Sequence, residues 1–186
     1  MRALVSGGSS GIGASTCLRV AEAALARGAQ PMIAVCGHKL NTSQEQVVRS
    51  IQSMGGTAIA LVGDLGDPDV PSQLVETAVA EFGGLDALIA NAGIANPGAI
   101  CDLSIEDWDD MFSVNLRGAW LLAKASHTHL RLSRGSACFT SSMSGQLPHA
   151  GSGAYSPSKA ALTMLAQTLA LELSLIHISE PTRLRR

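Results

Sequence analysis

The N-terminal stretch constrains this chain most, because a short apolar run, a glycine-rich turn and a helical segment follow one another without a break. Residues 2–6 predict a buried strand, and residues 14–27 predict a helix. The glycines between them permit a tight turn and let another backbone or a ligand approach closely. The helix N-terminus would then present free N–H groups and the positive end of its dipole to that turn. This order favours a loop that binds the phosphates of a dinucleotide over a plain turn. The predicted loop residues are Gly7, Ser9, Ser10, Gly11, Ile12 and Gly13.

Strand-like and helix-like segments alternate along the remaining chain, which predicts a parallel, doubly wound α/β sheet. Further strands are expected at residues 31–36, 57–62, 85–90 and 137–141. Helices are expected at residues 41–54, 70–82, 104–129 and 155–172. Ligands of such sheets bind beyond the carboxyl ends of the strands, so polar residues that follow a strand are candidate site residues.

Three strands are followed by candidate ligand-binding residues. Asp64 and Leu65 come after the third strand, where the carboxylate either hydrogen-bonds an adenine or caps a turn. Asn91, Ala92 and Gly93 come after the fourth strand, and their small size lets a ligand lie against the strand end. Because these segments meet at one edge of a parallel sheet, we expect them to line one cofactor site.

The end of the second strand bears on cofactor choice. In a βαβ nucleotide fold an acidic residue there holds the ribose hydroxyls of NAD, whereas a basic one suits the 2′-phosphate of NADP. The chain has Gly37, His38 and Lys39 at this point and no Asp or Glu from residue 30 to residue 42. We therefore predict a preference for NADP, with NAD possible, and expect Gly37→Asp to shift the preference toward NADH. A solvated loop is the alternative interpretation of His38 and Lys39.

A proton-transfer site is predicted around Tyr155. Tyr155 and Lys159 are four residues apart, so a helix that begins there carries both side chains on one face. A free tyrosine hydroxyl has a pKa near ~10, and a nearby ammonium favours its ionised form. Ser142, which follows the fifth strand, can hydrogen-bond a substrate oxygen. The alternative is that Tyr155 and Lys159 form an ordinary solvated helix pair.

Asn115 is the remaining candidate for the site. It falls in the middle of the helix predicted for residues 104–129, where an amide is unfavourable unless it has a specific partner. A surface asparagine is the alternative. His127 and His129 near the end of that helix have no carboxylate or cysteine at ligand spacing, so we predict no metal site.

The composition predicts one globular domain in the cytoplasm. Hydrophobic residues make up 46% and charged residues 15% of the 186-residue chain, which excludes a disordered protein. No apolar run reaches the ~18 residues of a membrane span. The net charge of −2 argues against nucleic acid and anionic membranes as partners. The four cysteines are scattered without a CxxC motif, as expected for a reduced compartment.

The C-terminal segment is a different case. Residues 173–183 resemble the translation of a transposase-type sequencing adapter, and residues from about Leu173 to Arg186 are therefore interpreted as a probable non-native tail. A genuine basic tail is the alternative.

Taken together, these motifs resemble the short-chain dehydrogenase/reductase family over residues 1–172. The elements that carry the resemblance are Gly7-x3-Gly11-x-Gly13, Asp64, Asn91-Ala92-Gly93, Asn115, Ser142 and Tyr155-x3-Lys159. The resemblance implies a Rossmann-like sheet of order 3-2-1-4-5 that lacks the last strands of the family. Two departures are a first helix about one turn longer than expected and Ala90 where asparagine is common.

The resemblance also implies roles for the site residues. Tyr155 would exchange the proton with the substrate oxygen, Ser142 would orient that oxygen, and Lys159 would favour the ionised phenol and hold the nicotinamide ribose. Asn115 would support a water that links Lys159 to solvent. The implied protein is an NADP-preferring carbonyl reductase or alcohol dehydrogenase, similar to 3-oxoacyl-carrier-protein reductases, and a homo-oligomer. The alternatives are a non-catalytic nucleotide-binding module and an inactive fragment of such an enzyme.

Overall fold

Five parallel strands form one sheet in residues 1–175, the part of the chain that the computed structural model describes. The strands are β1 (Arg2–Ser6), β2 (Met32–Gly37), β3 (Thr57–Val62), β4 (Ala87–Ala90) and β5 (Ser136–Phe139). Their order is β3-β2-β1-β4-β5, and every neighbouring pair is parallel. The predicted α/β class and strand order are therefore confirmed.

Six α-helices connect and extend these strands within the described residues. They are α1 (Gly11–Ala26), α2 (Thr42–Ser53), α3 (Val70–Phe82), α4 (Ile105–Phe112), α5 (Ala119–Ser133) and α6 (Tyr155–Leu175). The helix predicted for residues 104–129 is not continuous, because the wider turns of a π-helical segment, Ser113–Gly118, separate α4 from α5. Apolar spacing predicts a helix here, but over six residues it does not distinguish π turns from α turns.

The two faces of the sheet carry separate apolar cores, as the alternation of side chains along a strand requires. On β1, Leu4 belongs to the core packed under α3 and α5, whereas Ala3 and Val5 belong to the core under α1 and α2. All three side chains are fully buried. A strand covered on both faces has no polar alternation, which is why β1 is recognisable as a short buried run.

Several bounds differ from the predicted ones, each for a local reason. Helix α1 begins at Gly11 rather than at residue 14. Glycine is a poor helix former, so the predicted helix started after the loop glycines, whereas Gly11 and Gly13 belong to the first turn. Strand β4 begins at Ala87, since Asp86 instead pairs with Arg2, its Oδ1 lying 2.6 Å from Nη2. Asp69 occupies the N-cap position of α3, but its side chain makes no capping hydrogen bond.

Three remaining expectations concern the whole chain. Within residues 1–175, no helix is both long enough and apolar enough to cross a membrane. Among the cysteines, Cys17 and Cys36 are buried and Cys101 and Cys138 are exposed, all as free thiols. The predicted non-native tail, residues 173–186, lies outside the described residues apart from the last backbone turn of α6.

Candidate active site

One cleft at the carboxyl ends of the strands collects most of the predicted site residues. Its volume is about 770 Å³. The predicted residues that line it are Gly7, Ser9, Ser10, Gly11, Ile12, His38, Asp64, Leu65, Asn91, Ala92, Gly93, Ser142, Tyr155 and Lys159. Gly13, Lys39 and Asn115 are not part of the lining. The topology explains the convergence, because parallel strands deliver all of their following loops to the same edge of the sheet.

The glycine loop is shaped by backbone contacts. Gly7 and Gly11 adopt φ values of 64° and 52°, in the left-handed region that favours glycine. At Gly13, a Cβ atom would collide with the carbonyl oxygen of Gly7. The absence of a side chain at Gly13 therefore lets the first turn of α1 lie close to the carbonyl group of Gly7. Ser10, the N-cap residue of α1, makes no side-chain hydrogen bond to the helix, so its hydroxyl is free to turn toward the cleft.

Asn91 joins the ends of three strands. Its backbone N–H donates to Ser6 Oγ at 3.0 Å, and its Nδ2 donates to the carbonyl oxygens of Ser6 and Gly7, both at 3.3 Å. Thr140 Oγ1, just beyond β5, donates to Asn91 Oδ1 at 3.1 Å. The side-chain amide is therefore engaged with protein groups, and Asn91 positions the floor of the cleft.

Lys159 is a buried cation at the centre of the site. Its side chain enters the protein from α6, and the residue is 3% exposed. Nζ donates to the carbonyl oxygen of Thr140 at 2.8 Å and lies 5.8 Å from the ring centroid of Tyr155. Desolvation lowers the pKa of the Lys159 ammonium below its ordinary value. Tyr155 and Lys159 are thus held together in the cleft, and a solvated pair is not what the structure shows.

Asn115 is fully buried in the π-helical segment, which excludes a surface asparagine. Its Oδ1 accepts from the N–H of Ile94 at 2.8 Å, while Nδ2 donates to the Ile94 carbonyl at 2.9 Å and to Ser158 Oγ at 3.0 Å. Ser158 Oγ in turn donates to the carbonyl oxygen of Tyr155 at 2.8 Å. A chain of hydrogen bonds therefore joins the loop after β4 to the first turn of α6.

Gly93 marks the closest approach of these elements. A Cβ atom on Gly93 would lie 3.1 Å from Asn115 Oδ1 and 3.2 Å from Lys159 Nζ. Both distances are tighter than ordinary van der Waals contact, so a larger residue would displace one of these polar groups. The predicted small-residue segment after β4 is thus needed to seat the amide and the ammonium.

Ser142 lies in the loop that follows β5 and lines the cleft. Its hydroxyl oxygen accepts from the N–H of Ser144 at 3.1 Å and caps the short 3₁₀ turn Met143–Gly145. This bond orients the oxygen while leaving the hydroxyl proton available as a donor. Ser142 and Tyr155 therefore line the same cleft, and the Ser142 oxygen is held by a hydrogen bond.

The end of the cleft that contains His38 and Asp64 is more open. It is called the adenosine end below, because the sequence predicts the adenosine of the cofactor there. His38 Nδ1 lies 3.8 Å from Asp64 Oδ1, and the two side chains are 61% and 56% exposed. Asp64 Oδ1 also accepts from the N–H of Gly66 at 2.8 Å, so the carboxylate caps a turn as well as lining the cleft. Lys39 is exposed and lies outside the lining.

Sequence reasoning missed three polar residues that position the site. Thr140 accepts the Lys159 hydrogen bond, Ser158 links Asn115 to α6, and Gln44 lies fully buried on α2 beside Gly37. Thr140 could have been found, because it follows a strand as Ser142 does. Ser158 and Gln44 carried no signal beyond a polar residue on an apolar helix face.

Comparison with known proteins gives a consistent result. The family described as short chain dehydrogenase matches residues 1–179. A versicolorin reductase from Emericella nidulans is 36% identical over 171 residues, which are 91% of this chain and 62% of that protein. A 3-oxoacyl-(acyl-carrier-protein) reductase from Synechocystis is 32% identical over 173 residues, 92% of this chain and 68% of that protein. The chain thus spans about three-fifths of the length of relatives such as the versicolorin reductase.

Solved structures agree with the sequence matches. A short chain dehydrogenase from Burkholderia cenocepacia in complex with NADP superimposes with a TM-score of 0.83 at 35% identity, over 94% of this chain and 69% of that one. A putative short-chain alcohol dehydrogenase from Sinorhizobium meliloti gives a TM-score of 0.86 at 29% identity, over 94% of this chain and 67% of that one. The predicted resemblance is confirmed: the chain belongs to the short-chain dehydrogenase family.

Proposed function

We propose that this chain is the nucleotide-binding and catalytic part of an NADP-preferring oxidoreductase that interconverts a small ketone and its alcohol. The observation that carries the proposal is the buried Lys159 ammonium beside the Tyr155 ring, in the same cleft as the glycine loop. A structural lysine would find a carboxylate when buried, since an unpaired charge in the interior is costly. Among residues 1–175, the one hydrogen-bond partner of the Lys159 ammonium is the carbonyl oxygen of Thr140, and Lys159 lines the cleft.

The residues that line the cleft support the binding of a nicotinamide dinucleotide. The glycine loop and the N-terminus of α1 would hold the pyrophosphate through backbone N–H groups, as helix N-termini hold anions. Lys159, with two ammonium hydrogens free of the Thr140 bond, would hold the hydroxyls of the nicotinamide ribose. When bound, the cofactor supplies or accepts the hydride at the substrate carbon.

The chain's own residues would then move the proton. Tyr155 would donate its hydroxyl proton to the substrate oxygen in reduction and recover it in oxidation. Ser142, its oxygen fixed by the N–H of Ser144, would donate a hydrogen bond to the same substrate oxygen and so orient it. Lys159 would stabilise the phenolate that remains after proton donation. Asn115 would hold the backbone at Ile94, and with it a water path from Lys159 to solvent.

A preference for NADP is supported by the charges at the adenosine end. His38 and Lys39 follow β2, the position at which βαβ nucleotide folds contact the adenosine ribose, and residues 30–42 contain no carboxylate. The NADP complex of the Burkholderia cenocepacia relative points the same way. Both basic side chains are exposed, so their attraction for a phosphate is modest and sensitive to salt.

The test is an NADPH-oxidation assay of the purified chain with a panel of small ketones, together with NADPH and NADH binding by nicotinamide fluorescence. Ketone-dependent oxidation that prefers NADPH supports the proposal, whereas faster use of NADH overturns the cofactor preference. Binding without turnover by any ketone favours the non-catalytic module.

The inactive-fragment alternative needs a second chain. The same assay is run on a protein whose reading frame continues without interruption past Glu172. Activity that arises only in the longer protein shows that residues 1–186 are an inactive piece of the enzyme. Failure of both proteins to bind either nucleotide would overturn the proposed function.

A further inference from the structure

Gln44 is a buried polar residue for which the proposed mechanism has no use. It lies in the first turn of α2 and is fully inaccessible to solvent. Its backbone N–H donates to the Oδ1 of Asn41, the N-cap residue, at 2.8 Å. The side chain then extends toward the carboxyl ends of β2 and β3.

The side-chain amide of Gln44 is fixed in one orientation. Nε2 donates to the carbonyl oxygen of Val35 on β2 at 2.7 Å and to that of Leu61 on β3 at 2.8 Å. Both amide hydrogens are therefore used. Turning the amide over would place Oε1 against two carbonyl oxygens, so the orientation follows from the partners.

This orientation directs Oε1 toward Gly37. Oε1 is buried and accepts no hydrogen bond from any residue among 1–175. A Cβ atom on Gly37 would lie 3.1 Å from Oε1, 3.3 Å from the amide carbon and 3.4 Å from Nε2. Gly37 is the last residue of β2 and does not have a positive φ, so its backbone would accept a side chain. The three heavy atoms nearest to a Cβ at position 37 therefore all belong to the Gln44 amide.

We propose that Gln44 is a specificity-determining residue, because it excludes an acidic side chain from position 37, where NADH recognition would need one. The inference rests on the proposed function. An aspartate at position 37 would have its Cβ pressed against the amide, and its carboxylate would lie near an oxygen acceptor rather than a donor. Gln44 cannot turn to help without breaking both strand bonds. The single change Gly37→Asp is therefore not sufficient to create an NADH site.

The steric part is tested without any nucleotide, by a thermal-unfolding cycle of the 186-residue chain with Gly37→Ala and Gln44→Ala, singly and together. Alanine is favoured over glycine in a strand, so Gly37→Ala should raise Tm once Gln44 is shortened. With Gln44 present, the same change should lower Tm. Gln44→Ala leaves the carbonyl oxygens of Val35 and Leu61 without a donor. The resulting loss of stability is present in both variants that carry Gln44→Ala and therefore cancels in the cycle. An additive cycle overturns the inference whether or not nucleotides bind.

The specificity part is tested by nicotinamide-fluorescence titration of Gly37→Asp with and without Gln44→Ala. The single variant should bind NADPH more weakly and NADH no better than the unaltered chain. The double variant should bind NADH at least tenfold more tightly than Gly37→Asp alone. The matched control is Gln46→Ala combined with Gly37→Asp. Gln46 is an exposed glutamine on the same helix, so this double variant should bind NADH no better than Gly37→Asp alone.

The outcomes separate the two proposals. If Gly37→Asp alone binds NADH as tightly as the double variant, the role of Gln44 is wrong while the proposed function stands. If neither the unaltered chain nor the longer protein binds either nucleotide, the proposed function fails and the specificity role fails with it, whereas the thermal-unfolding cycle still tests the steric contact between Gln44 and position 37.

Discussion

The two ends of the cleft are built in opposite ways. At the catalytic end, Lys159 and Asn115 are buried and each has defined hydrogen-bond partners on other elements. At the adenosine end, His38 and Asp64 are more than half exposed and 3.8 Å apart. Polar groups without solvent must be satisfied by the protein, so the catalytic end has one arrangement, whereas the exposed end can adjust.

This difference determines how much each end can contribute. A buried group acts at a low effective dielectric, where removing it has large consequences. An exposed charge is screened by water and salt and contributes little on its own. We therefore expect substitutions of the buried residues at the catalytic end to change rate or stability by large factors, and those of the exposed side chains His38 and Lys39 to change nucleotide binding by small ones.

The largest effect is expected from Tyr155→Phe. This change removes the proposed proton donor and leaves the ring packing against Lys159 in place. Positioned acid–base groups typically contribute ~10²–10⁴ in rate, so kcat for ketone reduction should fall by about that factor. Steady-state kinetics in the longer protein that contains residues 1–172 would measure it.

NADPH binding serves as the control for Tyr155→Phe. The Kd should change by less than about threefold if the hydroxyl acts mainly in the chemical step. Full activity of Tyr155→Phe would show that the Tyr155 hydroxyl is not the proton donor. The larger effect expected at the catalytic end would then be wrong.

Asn115→Leu should give the next largest effect, on stability. The change leaves both backbone groups of Ile94 and the hydroxyl of Ser158 without their amide partner. A buried polar group that loses its partner costs roughly 1–3 kcal/mol, so the free energy of unfolding should fall by at least that amount. Urea unfolding is the measurement.

Asn96→Ala is the matched control for Asn115→Leu. Asn96 is exposed and its amide bonds the carboxylate of Asp107. It should change the free energy of unfolding by no more than about 0.5 kcal/mol. An equal effect of the two substitutions would mean that the buried amide does not hold the catalytic end together.

The same contrast explains what the sequence could and could not predict. The parallel α/β class followed from alternating segments, whereas the strand order followed from the family resemblance. The candidate site followed from polar residues after strands, because parallel strands deliver the loops that follow them to one edge of the sheet. The π turns at Ser113–Gly118 were not predictable, since six residues are too few for apolar spacing to separate π turns from α turns. Gln44 was missed because its role depends on Gly37 across the βα connection, a contact that local spacing does not encode.

At the adenosine end, His38→Ala and Lys39→Ala should each weaken NADPH binding by about fivefold or less. Each removes one exposed positive charge near the expected 2′-phosphate, which is worth at most ~1 kcal/mol. NADH binding should stay unchanged, because that nucleotide lacks the phosphate. Titrations at low and high salt would show the NADPH effect shrinking as screening increases. A loss of NADPH binding as large as the rate loss of Tyr155→Phe would break the comparison.

The smallest expected effect is the pH dependence that the buried ammonium gives to stability. Burial lowers the pKa of Lys159 below its ordinary value of 10.5, so the unfolded chain binds this proton more tightly than the folded chain. Stability rises with pH wherever the unfolded state holds more protons, which here is the interval between the lowered pKa and 10.5. The free energy of unfolding of the unaltered chain should therefore rise relative to that of Lys159→Met as the solution becomes alkaline toward that value. Parallel profiles for the unaltered chain and Lys159→Met would mean that the ammonium is as well solvated as the exposed groups at the adenosine end.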